Sequence, residues 1–164
     1  MPDSHMKQKF TAVPGSMARK VRKFEPRHAR GVAGILGKSP EAAEWSLKSI
    51  EQLEQRGEVA WVVESAGDVA GFLVARAVAE EAEVLNLCVD PSKRRTGHAA
   101  ALLNTAVGAL LQLHVKAIFL EVRLSNQPAI SFYEKHGFLR NGRRPAYYQN
   151  PTEDAVLMMR ELTG

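Results

Sequence analysis

Cysteine is nearly absent from the 164 residues: Cys88 stands alone, so the chain can form no internal disulfide and no cysteine-cluster zinc site. Long apolar runs are missing too. The longest near-apolar stretch, Ala99 to Leu111, is broken by Asn104 and Thr105 and falls short of the roughly 20 residues that span a bilayer. The opening MPDSHMKQKF lacks the apolar centre of a secretory leader. The five histidines, His5, His28, His98, His114 and His136, show no ligand spacing with carboxylates, which predicts no metal site. Neither a P-loop nor a dinucleotide G-x-G-x-x-G is present. These absences leave a cytoplasmic protein of one domain with no membrane partner. Its 45% hydrophobic and 24% charged residues suit a globular chain with one core.

Acidic charge is scarce at the start. Residues 1–30 carry eight Lys/Arg against Asp3 and Glu25, whereas the other 134 residues are formally negative by two. Such a head either docks on a polyanion or forms a solvated tail leading into a charged edge strand. Residues 1–18 have no periodicity and contain the breaker Pro14-Gly15-Ser16, so a disordered head or tag remnant is expected there, with a single domain over 19–164.

A short strand around Val21 and Phe24 opens the domain. Helices are predicted over Arg27–Leu36 and Pro40–Arg56, the second capped at Ser39-Pro40. Strands follow at Glu58–Glu64 and Val69–Ala79, joined by a hairpin at Ser65-Ala66-Gly67-Asp68, and then at Glu83–Val89. Gly97–His114 carries an unbroken apolar stripe at helical spacing. After a strand at Ala117–Val122 comes a helix over Asn126–His136, with Pro128 in its first turn and Gly137 past its end. Phe138–Leu139 and Ala155–Met159 are the last strands. The strand–helix–strand unit over 83–122 requires a parallel pair, and the hairpins require antiparallel ones. The expected fold is therefore α/β (α+β), a mixed and mostly antiparallel sheet of about 6–7 strands with helices on both faces.

The chemistry concentrates where strand 83–89 runs through Asp90-Pro91-Ser92-Lys93-Arg94-Arg95-Thr96-Gly97 into the long helix. A basic, glycine-containing turn at a helix N-terminus suits a phosphate, because the first N–H groups have no helical partners and the dipole is positive there. Arg94-Arg95-Thr96-Gly97-His98-Ala99 resembles the [QR]-x-x-G-x-[GA] motif of the GCN5-related N-acetyltransferases (GNAT). Asn126-Gln127-Pro128-Ala129 through Tyr133 to Gly137-Phe138 resembles that family's N-x-x-A-x-x-x-Y-x-x-x-G-F. Over about residues 21–162 the chain is thus similar to a GNAT enzyme. Leu120-Glu121-Val122-Arg123-Leu124-Ser125-Asn126 and Arg143-Arg144-Pro145-Ala146-Tyr147-Tyr148 further resemble the ribosomal-protein alanine N-acetyltransferases (RimI type). Of the aromatic-Pro-Trp-Ser common in that group, only Trp45-Ser46 survives.

The resemblance implies acetyl-CoA as cofactor, held in a V between strands 83–89 and 117–123. Its pyrophosphate would rest on Arg94, Arg95, Thr96, Gly97, His98 and Ala99, and strand residues Leu87, Cys88 and Val89 would flank the pantetheine and carbonyl. Glu121 and Glu83 are the two candidates for general base, Tyr133 for the acid that protonates the departing thiolate, and Asn126 for a helix cap that also touches cofactor. An α-amine, with a pKa near about 8 against about 10.4 for lysine, needs less help from a carboxylate. The implied acceptor is a protein N-terminus, specifically the alanine of a ribosomal protein. The alternatives are a small amine (polyamine, amino acid or antibiotic) or a non-catalytic acetyl-CoA-binding regulator. Cys88 reads as a buried small hydrophobe. Tyr147 and Tyr148 either line a peptide groove or pack. Nucleic acid enters only through the basic head, as a tether to ribosomal RNA.

Overall fold

In the computed structural model, residues 19–163 are described. The expectations for the head, residues 1–18, lie outside them. Seven strands make one sheet in the order β1-β2-β3-β4-β5-β7-β6. β1 (Lys20–Lys23), β2 (Val59–Ser65), β3 (Asp68–Val78) and β4 (Glu81–Val89) are antiparallel neighbours, β5 (Ala117–Arg123) runs parallel to β4, and β7 (Glu153–Glu161) and β6 (Leu139–Tyr148) complete the sheet antiparallel. The mixed sheet is as the element order required. The β2–β3 turn falls at Ala66 and Gly67, both at positive φ (54° and 84°), which matches the right-handed twist of the paired strands.

Helices cover both faces. α3 (His98–Gln112) inserts Leu102, Leu103, Ala106 and Leu110 against Trp61, Val63, Leu73, Ile118 and Leu120, and α4 (Gln127–Lys135) adds Ile130 and Tyr133 to the same core. On the other face α1 (Ala29–Gly37) and α2 (Leu47–Glu51) press Val32, Ile35 and Ile50 onto Val62, Phe72 and Cys88. Gly71 is required where β3 meets β4, since a Cβ there would lie 3.0 Å from the Cys88 carbonyl oxygen.

Two elements depart from expectation. The helix expected over Pro40–Arg56 is only α2, capped by Ser46, whose Oγ accepts from the Ser49 N–H at 3.1 Å; a 3₁₀ turn follows at Glu54–Arg56. Residues 40–46 are held irregular by tertiary partners. Arg94 binds Glu41, Asn86 Nδ2 reaches the Ala43 carbonyl at 3.5 Å, and an isolated turn links Ala42 N–H to the Ser39 carbonyl. β6, expected at 138–139, instead starts at Leu139 and runs ten residues. Its side chains are exposed almost throughout, so no apolar alternation marks it in the sequence.

Candidate active site

The parallel β4–β5 ladder is short. Only Glu81, Ala82 and Glu83 pair with Ala117, Ile118 and Phe119; beyond that point the two strands have no register. β4 also carries a bulge, because Val84 pairs with Ala75 and Asn86 with Val74, leaving Leu85 as the extra residue. A bulge frees one residue's backbone groups from the ladder and is a recurrent device beside active sites. The open V and the bulge share one side of the sheet with a cavity of about 320 Å³ lined by Trp45, Glu83, Val84, Leu85, Glu121, Tyr147 and Tyr148, among others. A neighbouring hollow lined by Val78, Glu81 and Phe119 shares Arg76 and Glu83 with it. The two hollows adjoin at these residues.

Both carboxylates anticipated as bases line this cavity, in different settings. Glu83 is exposed and sits across from Arg76 in the β3–β4 register, but the Arg76 guanidinium is bound to Glu58 at 2.8 Å. Glu121 is sheltered, its side chain 18% accessible, with Arg144 Nε at 3.1 Å. The Tyr147 hydroxyl interacts with the same carboxylate, which pushes that phenol's pKa up. Tyr148 lies next, raised to about 12 chiefly by burial and then by Glu121 and Tyr147. Tyr133 is buried, and that burial, with lesser contributions from Cys88 and Tyr148, holds its phenol protonated well above the ordinary tyrosine range. Glu121, Tyr147 and Tyr148 line one cavity, and Tyr133 lies buried in the core beneath α4.

The loop before α3 fits a phosphate-bearing ligand. Gly97 adopts φ 82° at the helix N-cap, and the first turn of α3 contains no acidic residue. Lys93 and Arg95 have no carboxylate at ion-pair distance among the described residues. Arg94 is differently employed: it donates to the Val89 carbonyl at 3.1 Å and to Ser39 Oγ at 3.4 Å and pairs with Glu41, fastening the loop to the segment after α1. The Thr96 hydroxyl donates to the Lys93 carbonyl at 2.6 Å. His98 is buried and accepts from Arg19 Nε at 3.2 Å; burial, then Arg19 and Lys93, lower its pKa. Ala99 follows on the first turn of α3, half-buried. Leu87 is half-buried, while Cys88 and Val89 are buried, burial raising the Cys88 thiol. Asn126 caps α4, its Oδ1 accepting from the Ala129 N–H at 3.3 Å.

Three features escaped the sequence reading. The bulge at Leu85 carries no residue signal. Arg144 reaches Glu121 only because β7 pairs with both β5 and β6, which brings residue 144 within side-chain reach of β5. Glu58, with a side chain 1% accessible, holds Arg56 and Arg76 on the cavity wall at 2.8 Å each; a lone glutamate opening a strand gives no sign of being buried. Among the described residues no group of three His, Cys, Asp or Glu is placed to hold a metal, and no helix is long and apolar enough to cross a membrane.

Comparison with known proteins agrees with this geometry. The pattern of the Acetyltransferase (GNAT) family matches residues 30–138. The chain is 34% identical over 116 residues to the [ribosomal protein bS18]-alanine N-acetyltransferase of Escherichia coli, covering 70% of this chain and 78% of that protein. It is 33% identical over 97 residues to the putative enzyme of that name in Bacillus subtilis, covering 59% and 64%. The crystal structure of the Escherichia coli ribosomal-protein alanine N-acetyltransferase superposes with TM-score 0.78 at 28% identity, covering 89% of this chain and 96% of that one. Ard1 from Thermoplasma volcanium superposes with TM-score 0.82 at 29% identity, covering 90% and 99%. With a splayed parallel pair, a phosphate-compatible loop and this similarity, the chain belongs to the GNAT family and is an acetyl-CoA-dependent N-acetyltransferase.

Proposed function

We propose that the protein acetylates the α-amine of a polypeptide N-terminus, the alanine of a ribosomal protein being the acceptor that its relatives' names suggest, and that it does so in the cytoplasm. The observation that carries this reading is Glu121, sheltered on the wall of a cavity that Tyr147 and Tyr148 also line, in a chain similar to alanine N-acetyltransferases.

When bound, acetyl-CoA supplies the thioester carbonyl that the amine attacks. The residues divide the remaining work. The N–H groups of residues 95–99 and the cations Lys93 and Arg95 bind phosphate at the positive end of α3. Backbone N–H groups of β4 near Leu87 and Val89 would hold the acyl arm and would be the donors available to its carbonyl oxygen. Glu121 takes a proton from the incoming amine, and the Tyr133 phenol gives one to the departing sulfur. Glu121 is preferred to Glu83 because it is sheltered and borders the tyrosines, whereas Glu83 faces solvent.

The test is mass spectrometry of peptides with free Ala, Ser or Thr N-termini beside internal-lysine controls, with acetyl-CoA present. One acetyl group is expected on the α-amine, and Glu121→Gln should lower turnover on the order of 100-fold. Acetylation of lysine alone would overturn the α-amine reading. Unchanged turnover in Glu121→Gln would move the base to Glu83.

A further inference from the structure

The geometry points to Arg144 as an internal occupant of the acceptor's ammonium subsite: its guanidinium holds the Glu121 carboxylate in the free enzyme and is displaced when a peptide α-ammonium arrives. This inference rests on Glu121 being the group that receives the acceptor amine.

Glu121 lines the cavity and carries a cation of the protein's own at 3.1 Å. An incoming α-amine is mostly ammonium at neutral pH. It therefore brings a second cation to the same carboxylate. Glu121 is sheltered and Arg144 already lies on it, so the two cations compete for one carboxylate. Arg144 is built to leave. Its side chain is 57% exposed against 18% for Glu121, so release returns a guanidinium to water at small cost. Its guanidinium carbon also stands 5.5 Å from the centre of the Tyr147 ring, a contact that can guide the swing without involving the carboxylate.

The backbone beneath is anchored independently. Asp154 accepts from Arg143 Nε at 2.5 Å and from the Ala146 N–H at 2.8 Å, and Ala146 takes φ 51° where the β6–β7 register breaks between Arg144 and Tyr148. Movement of the Arg144 head thus need not disturb the strand or the placement of Tyr147 and Tyr148. The exchange selects acceptors that arrive as cations at their N-terminus.

The experiment compares wild type, Arg144→Ala and Arg144→Lys on an alanine N-terminal peptide, with the N-acetylated form of that peptide as competitive inhibitor. Removing the internal cation should lower KM for the free-amine peptide roughly two- to fivefold, the size of one half-exposed ion pair. Arg144→Lys should return it toward the wild-type value, and inhibition by the acetylated peptide should be the same in all three proteins. Melting temperatures verify that the variants are folded. A KM that is unchanged or raised in Arg144→Ala would overturn the inference, as would a gain shared equally by the acetylated peptide, which would mark simple widening of the groove. Glu121→Gln separates the two readings. If it turns over like wild type, Glu121 is not the base. If it loses turnover while Arg144→Ala leaves KM unmoved, only the displacement fails.

Discussion

Glu121 on β5 and Tyr147 and Tyr148 at the end of β6 meet in one cavity that no stretch of sequence places together, and on α4 stands the buried Tyr133. Burial makes its phenolate costly, so the hydroxyl stays protonated across the physiological range and is available as a proton donor. Replacing Tyr133 with Phe keeps the ring and its edge contacts with Phe132 and Phe138 and removes only the hydroxyl. Steady-state kinetics should show turnover lowered about 100-fold or more while KM for acetyl-CoA changes less than about threefold. Equal turnover would remove Tyr133 as the acid. The type and spacing of this residue were legible in the motif, whereas its burial was not, because the packing of α4 against the sheet supplies it.

Elements whose signals are local were the ones that the sequence placed well. The α4 cap is an example: Asn126 followed by Pro128 and ended by Gly137 reads as a helix, and the Oδ1 bond to Ala129 is present. Asn126→Ala should lower stability by about 1 kcal/mol in urea unfolding, with Asn126→Asp close to wild type because a carboxylate can still accept the N–H. An alanine variant as stable as wild type would show that the cap carries no weight. The segment 40–56 shows the opposite case. Its apolar spacing and Ser39-Pro40 pair favour a helix, yet Arg94 and Asn86 hold residues 41–43 against the β4–α3 region and delay the helix to Ser46. The irregular stretch puts Ala43 and Trp45 on the cavity wall, where a continuous helix would have set its own periodicity.

At the scale of the whole molecule, charge is distributed by pairing more than by sequence position. Part of the basic start is paired within the fold: Arg22 and Arg27 meet Glu64, which also meets His28, and Arg19 lies over Gly97. Glu25, Glu64, Asp90, Glu153 and Asp154 have pKa values below the ordinary range. In Asp90 the main cause is the Ser92 hydrogen bonds, in Glu153 those from Ser125, and in Asp154 the Ala146 N–H followed by Arg143. A carboxyl whose folded pKa is depressed stabilises the protein above its unfolded value. That stability is lost as pH falls through the folded value. The urea midpoint should therefore hold steady near neutrality and decline once the pH drops below about 4. Asp154→Asn should decline less steeply over that window. A midpoint independent of pH down to about 2.5 would show that these bonds contribute no net stability.

The sequence by itself determined the family motifs, the phosphate-compatible loop, the candidates proposed as base and acid, and the mixed sheet, because each depends on residue type and spacing along a few turns or strands. Only the tertiary structure decided which of these groups share a cavity. The β4–β5 ladder stops after three pairs, Leu85 bulges, Arg94 turns inward to Glu41 and Val89, and Arg144 closes on Glu121. Each of these follows from contacts between residues far apart in the chain, whose geometry is set by how strands pack and part and has no counterpart in local sequence.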